Sequence, residues 1–115
     1  MGEGTYRLEG ASFTGMEVSM GKFATVAVGA TRLLLTEKVA WTSDPATFRF
    51  AGLPPERADV IVVRSCSDFR PNYPEAGDEA ITLDVPGAAT PNLAELRFEM
   101  MERPPYPLDP WHDIR

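Results

Sequence analysis

The residues of this chain whose types are best suited to chemistry lie in one short segment. Ser65, Cys66, Ser67 and Asp68 follow the branched apolar run at residues 60–63, separated from it by Arg64. Such a run predicts a strand covered on both faces, and serine and aspartate are common helix N-caps. In α/β sheets, the loop between a strand and the following helix is where ligands and anions usually bind. We therefore treat this loop as the candidate site.

Cys66 is the candidate nucleophile of the loop, because a thiol at a helix N-terminus ionises more readily. Nucleophilic catalysis also needs a base within reach. The single histidine of the chain, His112, lies in a proline-rich tail. A small buried cysteine is the simpler interpretation, and no catalytic residue is assigned.

Two arginines, Arg64 and Arg70, flank the same loop. A guanidinium group can bind a carboxylate or phosphate through two parallel hydrogen bonds. Surface ion pairing is the commoner use of arginine. Both interpretations stay open at this point.

Aspartates are frequent, but the sequence brings no two of them together. Helix caps, turns and solvated edges account for most of them. One cysteine and one histidine also fall short of the usual zinc ligands. No metal ligand and no cofactor is assigned to this chain.

Composition bounds the remaining possibilities. The 115 residues include 17 acidic and 11 basic side chains, giving a net charge of −6 and a single expected domain over residues 1–115. Nucleic acid and anionic membranes are unfavourable partners for such a chain. One cysteine excludes an internal disulfide, and neither a secretory signal nor a membrane span is visible, so we expect a cytoplasmic protein.

Hydrophobic periodicity and turn residues predict the strands and helices that position the loop. Residues 22–36 predict an antiparallel hairpin whose second strand continues to Trp41, and Asp44 caps a helix at residues 45–51 that ends at Gly52. Strands at residues 59–64 and 79–85 predict a βαβ unit. Residues 65–68 offer N-caps for the helix between them, which should start late or be kinked because of Pro71 and Pro74.

The expected fold class is therefore α/β, in which an antiparallel hairpin leads into a βαβ unit, with a mixed sheet and short helices. A last short helix covers residues 90–96, and residues 99–115 form an extended proline-rich arm. The expected core comprises Val26, Val28, Leu34, Val60, Ile61, Val62, Val63, Ile81 and Leu83.

Several blocks of the sequence, in order, resemble one known family. They are residues 15–26, 34–36, 44–52, 62–70, 83–87 and 103–109. Together they are similar to the C-terminal domain of the MlrC-like (microcystin-degradation protein) metallopeptidases, from about Gly4 to Asp109. Two positions depart from the family pattern: Arg64 stands where lysine is usual, and Asp68 stands where histidine is usual. A carboxylate cannot replace an imidazole as donor or general base.

The resemblance implies a piece of a larger protein whose zinc ligands lie in a catalytic domain upstream. Its partners would be that catalytic domain and a peptide-like substrate. The substrate-cleft candidates are then Arg64, Ser65, Ser67, Asp68, Phe69 and Arg70.

Two functions remain open. The first is an accessory domain of a zinc-dependent amide hydrolase, inactive by itself, because metal-assisted hydrolysis needs an open metal site that holds water. The second is a stand-alone binding or oligomerisation module that self-associates through exposed strand edges. An independent cysteine enzyme would rest on Cys66 alone.

Overall fold

The computed structural model describes residues 1–65, 67–74, 79–83, 85, 99 and 100. The chain divides into two compact units, residues 1–81 and 82–115. The helices and strands given below all belong to the first unit, and most of the second lies outside the described residues. The expectation of a single domain stays a prediction.

The described residues form two small antiparallel sheets and two short helices, consistent with a small α/β domain. The strands are β1 (Tyr6–Arg7), β2 (Glu17–Val18), β3 (Phe23–Val28) and β4 (Thr31–Thr36). They are followed by the helix α1 (Pro45–Phe50) and a 3₁₀ turn at Pro55–Arg57. Strand β1 pairs with β2, and β3 pairs with β4.

The predicted hairpin is confirmed as the β3–β4 pair. Its register runs from Phe23 opposite Thr36 to Val28 opposite Thr31. Gly29 has a φ of +59° at the first central position of the turn, whereas Ala30 has a negative φ. Glycine in that position is typical of the type II′ turn, whose twist matches that of paired strands.

The predicted helix is also confirmed, within one residue at its end. Asp44 is the N-cap, and its side chain accepts a hydrogen bond from the Ala46 N–H. Pro45 occupies the first turn, where its missing N–H costs no hydrogen bond. Gly52 has a φ of +75° just after the helix, a backbone conformation that glycine adopts without strain.

The hydrophobic core is built from the N-terminal strands and helix α1. Its buried members are Tyr6, Leu8, Met20, Ala46 and Ala51, with Val18, Phe23, Leu34, Ala40, Trp41 and Phe50 packed against them. Phe50 lies at its centre, because its ring centroid is 4.9 Å from that of Tyr6 and 5.4 Å from that of Phe23.

The predicted core is wrong except at Leu34, which is partly buried against this cluster. Ile61 and Val63 are half-buried, but the other predicted members are exposed. Val60 and Ile81, for example, are 81% and 85% exposed. An apolar run is buried only where other elements cover both of its faces, and no described helix or strand covers these segments.

The structure also shows no strand at residues 60–64 or at the described residues of the 79–85 segment. Strand β4 ends at Thr36, short of Trp41, because the Lys38 N–H bonds to the Met20 carbonyl at 3.0 Å and the chain turns away. Residues 67–74 form turns rather than a regular helix. Residues 75–78, Asp84 and the predicted helix at 90–96 lie outside the described residues, as does most of the 99–115 arm.

A buried hydroxyl pair links strand β1 to helix α1. The Tyr6 hydroxyl lies 2.9 Å from Thr47 Oγ1, which donates to the Trp41 carbonyl at 2.6 Å. Because Thr47 uses its proton on Trp41, Tyr6 must donate its own to Thr47. Burial raises the pKa of Tyr6 above the ordinary value of 10.0.

This pair predicts a loss of stability in alkali that depends on Tyr6. A raised pKa favours the neutral phenol in the folded state, so its contribution is full below about pH 10 and disappears as the pH rises through the folded pKa. The free energy of unfolding in urea should fall as the pH rises above about 10. Tyr6→Phe should show a smaller fall. Parallel pH profiles for the two proteins would contradict the assignment.

Candidate functional site

The candidate loop, residues 64–70, lies at the surface of the first unit. Arg64, Ser67, Asp68 and Arg70 are exposed, whereas Ser65 and Phe69 are half-buried. Cys66 lies outside the described residues. The loop side chains that the sequence singled out are thus placed where a ligand can reach them.

The structure brings the loop residues together in two groups. The Asp68 N–H donates to Ser65 Oγ at 3.1 Å, and Ser67 Oγ donates to Asp68 Oδ1 at 3.3 Å. The Arg70 guanidinium carbon lies 5.1 Å from the centre of the Phe69 ring. This is the geometry of a cation–π contact, which orients the guanidinium without neutralising it.

Arg64 makes no described contact with either of these two groups. Its backbone N–H donates to Thr42 Oγ1 at 3.1 Å. Within the described part of the chain, neither Arg64 nor Arg70 forms an ion pair.

Two buried residues just after the loop attach it to the rest of the unit. The Asn72 amide donates to the Ser43 carbonyl at 2.9 Å and accepts from the Ser12 N–H at 3.3 Å. The Tyr73 hydroxyl donates to the Thr42 carbonyl at 3.1 Å. Asn72 and Tyr73 thus attach the C-terminal end of the loop to residues 42–43, just before helix α1.

The Asp44 carboxylate is the centre of that segment, and it is only 2% exposed. Its Oδ2 accepts from the Gly10 N–H at 2.8 Å, and its Oδ1 accepts from the N–H groups of Ala46 at 2.9 Å and Glu9 at 3.3 Å. These backbone donors satisfy the carboxylate. Its role is structural, since it joins the turn at residues 9–10 to the start of α1.

Gly10 is required by the same packing. A Cβ atom at this position would lie 2.4 Å from the Asn72 side chain, far closer than van der Waals contact allows. The turn at residues 9–10 can therefore meet both Asp44 and Asn72 only because residue 10 has no side chain.

Helix α1 also carries an ion-pair cluster at its surface. Arg49 pairs with both Glu9 and Glu56. The hydrogen bond from Arg49 lowers the pKa of Glu56, and the same bond raises the pKa of Arg49. Because all three side chains are substantially exposed, the cluster adds little stability and mainly orients the elements.

Comparison of the sequence with known families identifies the family of this chain. The family model described as MlrC C-terminus matches residues 1–100, most of the chain. The chain belongs to the MlrC C-terminal domain family. No curated protein and no solved structure matches it. The family resemblance found in the sequence is thereby confirmed, and the candidate loop lies within the matched region.

The described residues of this MlrC C-terminal domain do not assemble a zinc site. Nowhere among them do three His, Cys, Asp or Glu side chains come close enough to share a metal ion. A protein zinc site needs at least three such ligands. None of the helices that the structure describes is long and apolar enough to cross a membrane.

Sequence reasoning missed the residues that hold the loop in place. Asn72 and Tyr73 were not singled out, and Asp44 was predicted only as a helix cap. A weak signal was present, since two polar or aromatic residues between Pro71 and Pro74 lie in turns that need side-chain anchors. Their contacts join residues about 30 positions apart, which no local pattern reveals.

Replacing Asp44 tests its place at the centre of the fold. Asp44→Ala removes the cap and leaves buried N–H groups unpaired, so we expect a loss of roughly 2–4 kcal/mol in the free energy of unfolding. Asp44→Asn keeps one acceptor and should lose less. The exposed Asp59→Ala serves as control and should change stability by less than about 0.5 kcal/mol. Equal stability of Asp44→Ala and Asp59→Ala, measured by urea denaturation, would refute the assignment.

Replacing Asn72 tests the anchoring of the loop. Asn72→Ala breaks both side-chain hydrogen bonds, so we expect a loss of roughly 1–3 kcal/mol and faster trypsin cleavage after Arg64. The bond after Arg57, in the same sample, is the internal reference for global unfolding. If cleavage after both arginines accelerates equally, Asn72 does not anchor the loop specifically.

Proposed function

We propose that this chain is the C-terminal accessory domain of an MlrC-like zinc metallopeptidase, a hydrolase of peptide amide bonds. In this proposal the domain packs on the catalytic domain and helps to shape the substrate cleft, and it is inactive by itself. The observation that carries the proposal is the loop at residues 64–70, which is exposed yet anchored to a buried polar cluster.

Arg70 is the residue of the loop best placed to bind a substrate. It is exposed, it stacks on the ring of Phe69, and it has no carboxylate partner among the described residues. A planar guanidinium matches the geometry of a carboxylate and can bind it through two hydrogen bonds. We therefore assign Arg70 to an acidic group of a peptide-like substrate, with Arg64 as a second positive charge on the loop.

Asp68 and the two serines provide the complementary chemistry. The Asp68 carboxylate accepts hydrogen bonds, and the hydroxyls of Ser65 and Ser67 both donate and accept. Amide N–H and C=O groups of a peptide need this mixture. The proposal gives Asp68 no general-base role: it stands where histidine is usual in the family, and an ionised carboxylate only accepts hydrogen bonds, whereas an imidazole also donates them.

Anchoring matters for such a role because a binding loop that is fixed before the substrate arrives loses less conformational entropy. On one side of the Phe69–Arg70 pair the Asp68 N–H donates to Ser65 Oγ within the loop, and on the other side the Asn72 side-chain amide donates to the Ser43 carbonyl. The chemistry of amide hydrolysis would come from zinc in the catalytic domain, where a metal ion activates the attacking water.

The test uses the chain together with a separately produced catalytic domain of an MlrC-like metallopeptidase. We expect the two to form a one-to-one complex in native mass spectrometry, with zinc bound by the catalytic domain. Adding the chain should raise kcat/KM for a peptide that carries a free carboxylate. A chain that neither binds the catalytic domain nor changes its activity would refute the accessory role.

Within that complex, Arg70→Ala should lower kcat/KM about tenfold, mainly through KM, because the lost contact is a charge-assisted hydrogen bond. Arg70→Lys should restore part of the effect, since it keeps the charge without the planar fork. The exposed Arg57→Ala is the matched control and should leave the kinetics unchanged. If Arg70→Ala also behaves like wild type, the loop is not part of the cleft.

A second function is favoured by a different surface. The β3–β4 hairpin exposes four large apolar side chains, Val26, Val28, Leu33 and Leu35. Contiguous apolar surface of this kind marks protein interaction sites. A binding or oligomerisation module is therefore the alternative to the accessory domain.

A further inference from the structure

The β3–β4 hairpin has two faces of opposite character. Residues paired across the strands share a face, and successive residues alternate between faces. From the register, the inner face comprises Phe23, Thr25, Ala27, Arg32, Leu34 and Thr36, and the outer face comprises Ala24, Val26, Val28, Thr31, Leu33 and Leu35. The outer face has no charged side chain.

The inner face meets the core, and the outer face is open. Phe23 and Leu34 on the inner face pack against the buried cluster. On the outer face, Val26, Val28, Leu33 and Leu35 are between 39% and 61% exposed. Together they present roughly 300–400 Å² of apolar surface, within the range of functional patches on monomers.

A shallow depression lies at the base of the hairpin, and residues of both faces line it. It is lined by Met1, Lys22, Phe23, Ala24, Leu35, Thr36 and Glu37. Lys22 and Glu37 carry opposite charges, so this region is neutral, although the whole chain carries a net charge of −6. A neutral apolar surface on an acidic protein is the place where two copies approach with the least repulsion.

We propose that the outer face is a self-association surface that binds the outer face of a second copy of this chain. The two hairpins lie face to face and antiparallel, related by a two-fold axis that passes through the Val26–Leu33 pair. This axis places the Val28–Thr31 pair of one copy over the Ala24–Leu35 pair of the other, because these pairs lie at equal distances from Val26 on either side. The tip of each hairpin then lies over the base of its partner's outer face.

Face-to-face packing fits the observations better than pairing through strand edges. The outward backbone groups of β4 belong to Arg32, Leu34 and Thr36, as the alternation of the ladder requires. Edge pairing through them would leave the apolar outer face uncovered, whereas face-to-face packing removes it from water on both copies. The arrangement brings no two like charges of the hairpins together.

The size of the outer face sets the expected strength. Stable dimers bury about 800 Å² per partner, and this face offers about half of that. We therefore expect a weak dimer that is populated at about 100 μM and dissociated at about 1 μM. This inference rests on the binding-module alternative, to which it gives a specific partner, and it is independent of the accessory-domain proposal because it involves none of the loop residues.

The experiment is sedimentation velocity of the full chain across that concentration range, with matched variants of neighbouring residues. Val28→Glu places a charge on the outer face and should raise the dissociation constant at least about tenfold. Ala27→Glu, on the inner face opposite Arg32, should not change it. Leu33→Glu provides a second outer-face variant, and amide exchange of each variant verifies the fold.

Several results would overturn the inference. Wild-type chain that stays monomeric up to about 500 μM excludes the dimer. Equal effects of Val28→Glu and Ala27→Glu exclude the outer face as its interface. Loss of the dimer in Arg32→Pro, with retention in Val28→Glu, shows edge pairing. A monomeric chain whose complex with the catalytic domain is weakened by Val28→Glu assigns the face to that domain instead.

Discussion

The buried carboxylate of Asp44 holds together segments that have little else in common. A carboxylate removed from water is costly unless hydrogen bonds replace its hydration, and here three backbone N–H groups do so. Two of these donors belong to the turn at residues 9–10, and the third opens helix α1. The turn, the helix and the strand that leads into the turn therefore take their relative positions from one side chain.

This polar centre matters because the apolar core is small. Among the described residues, five hydrophobic side chains are buried in the core cluster, and a cluster of that size contributes little stability by itself. The buried hydrogen bonds of Tyr6 with Thr47 and of Asn72 with Ser43 extend the same centre in two directions. One direction reaches strand β1, and the other reaches the candidate loop. The geometry of the loop thus depends on residues that never touch a ligand.

Local sequence patterns correctly predicted the hairpin and helix α1. They failed to predict burial, because burial depends on contacts between residues far apart in the sequence. The turn at Gly29 and the cap–proline pair at Asp44 and Pro45 each specify their structure within a few residues, so the hairpin and helix α1 were found. The apolar residues 60–63 carry no information about what covers them. Burial depends on a second element, and a β-branched run is equally compatible with an exposed segment.

In the candidate site, too, the residue types could be predicted from the sequence, but their contacts could not. Serine, aspartate and arginine types in residues 64–70 were recognisable from composition alone, and the family match includes them. Their grouping was not recognisable. The Arg70 guanidinium lies against the Phe69 ring, whereas Arg64 contacts Thr42, a residue 22 positions away, through its backbone N–H. Nothing in the spacing distinguishes these two arginines. The anchors Asn72 and Tyr73 were invisible for a related reason, since buried polar residues in turns look like ordinary surface residues until their partners are known.

The loop and the outer face of the hairpin are suited to different ligands. The loop offers donors, acceptors and two unpaired guanidinium groups among the described residues, which is the chemistry needed for a polar, peptide-like molecule. The outer face offers no hydrogen-bonding side chain except Thr31, so it gains free energy only by excluding water from another apolar surface. Because they share no residue, an accessory domain can use the loop for substrate while the hairpin binds protein. A module that had lost its catalytic partner would retain only the second of these functions.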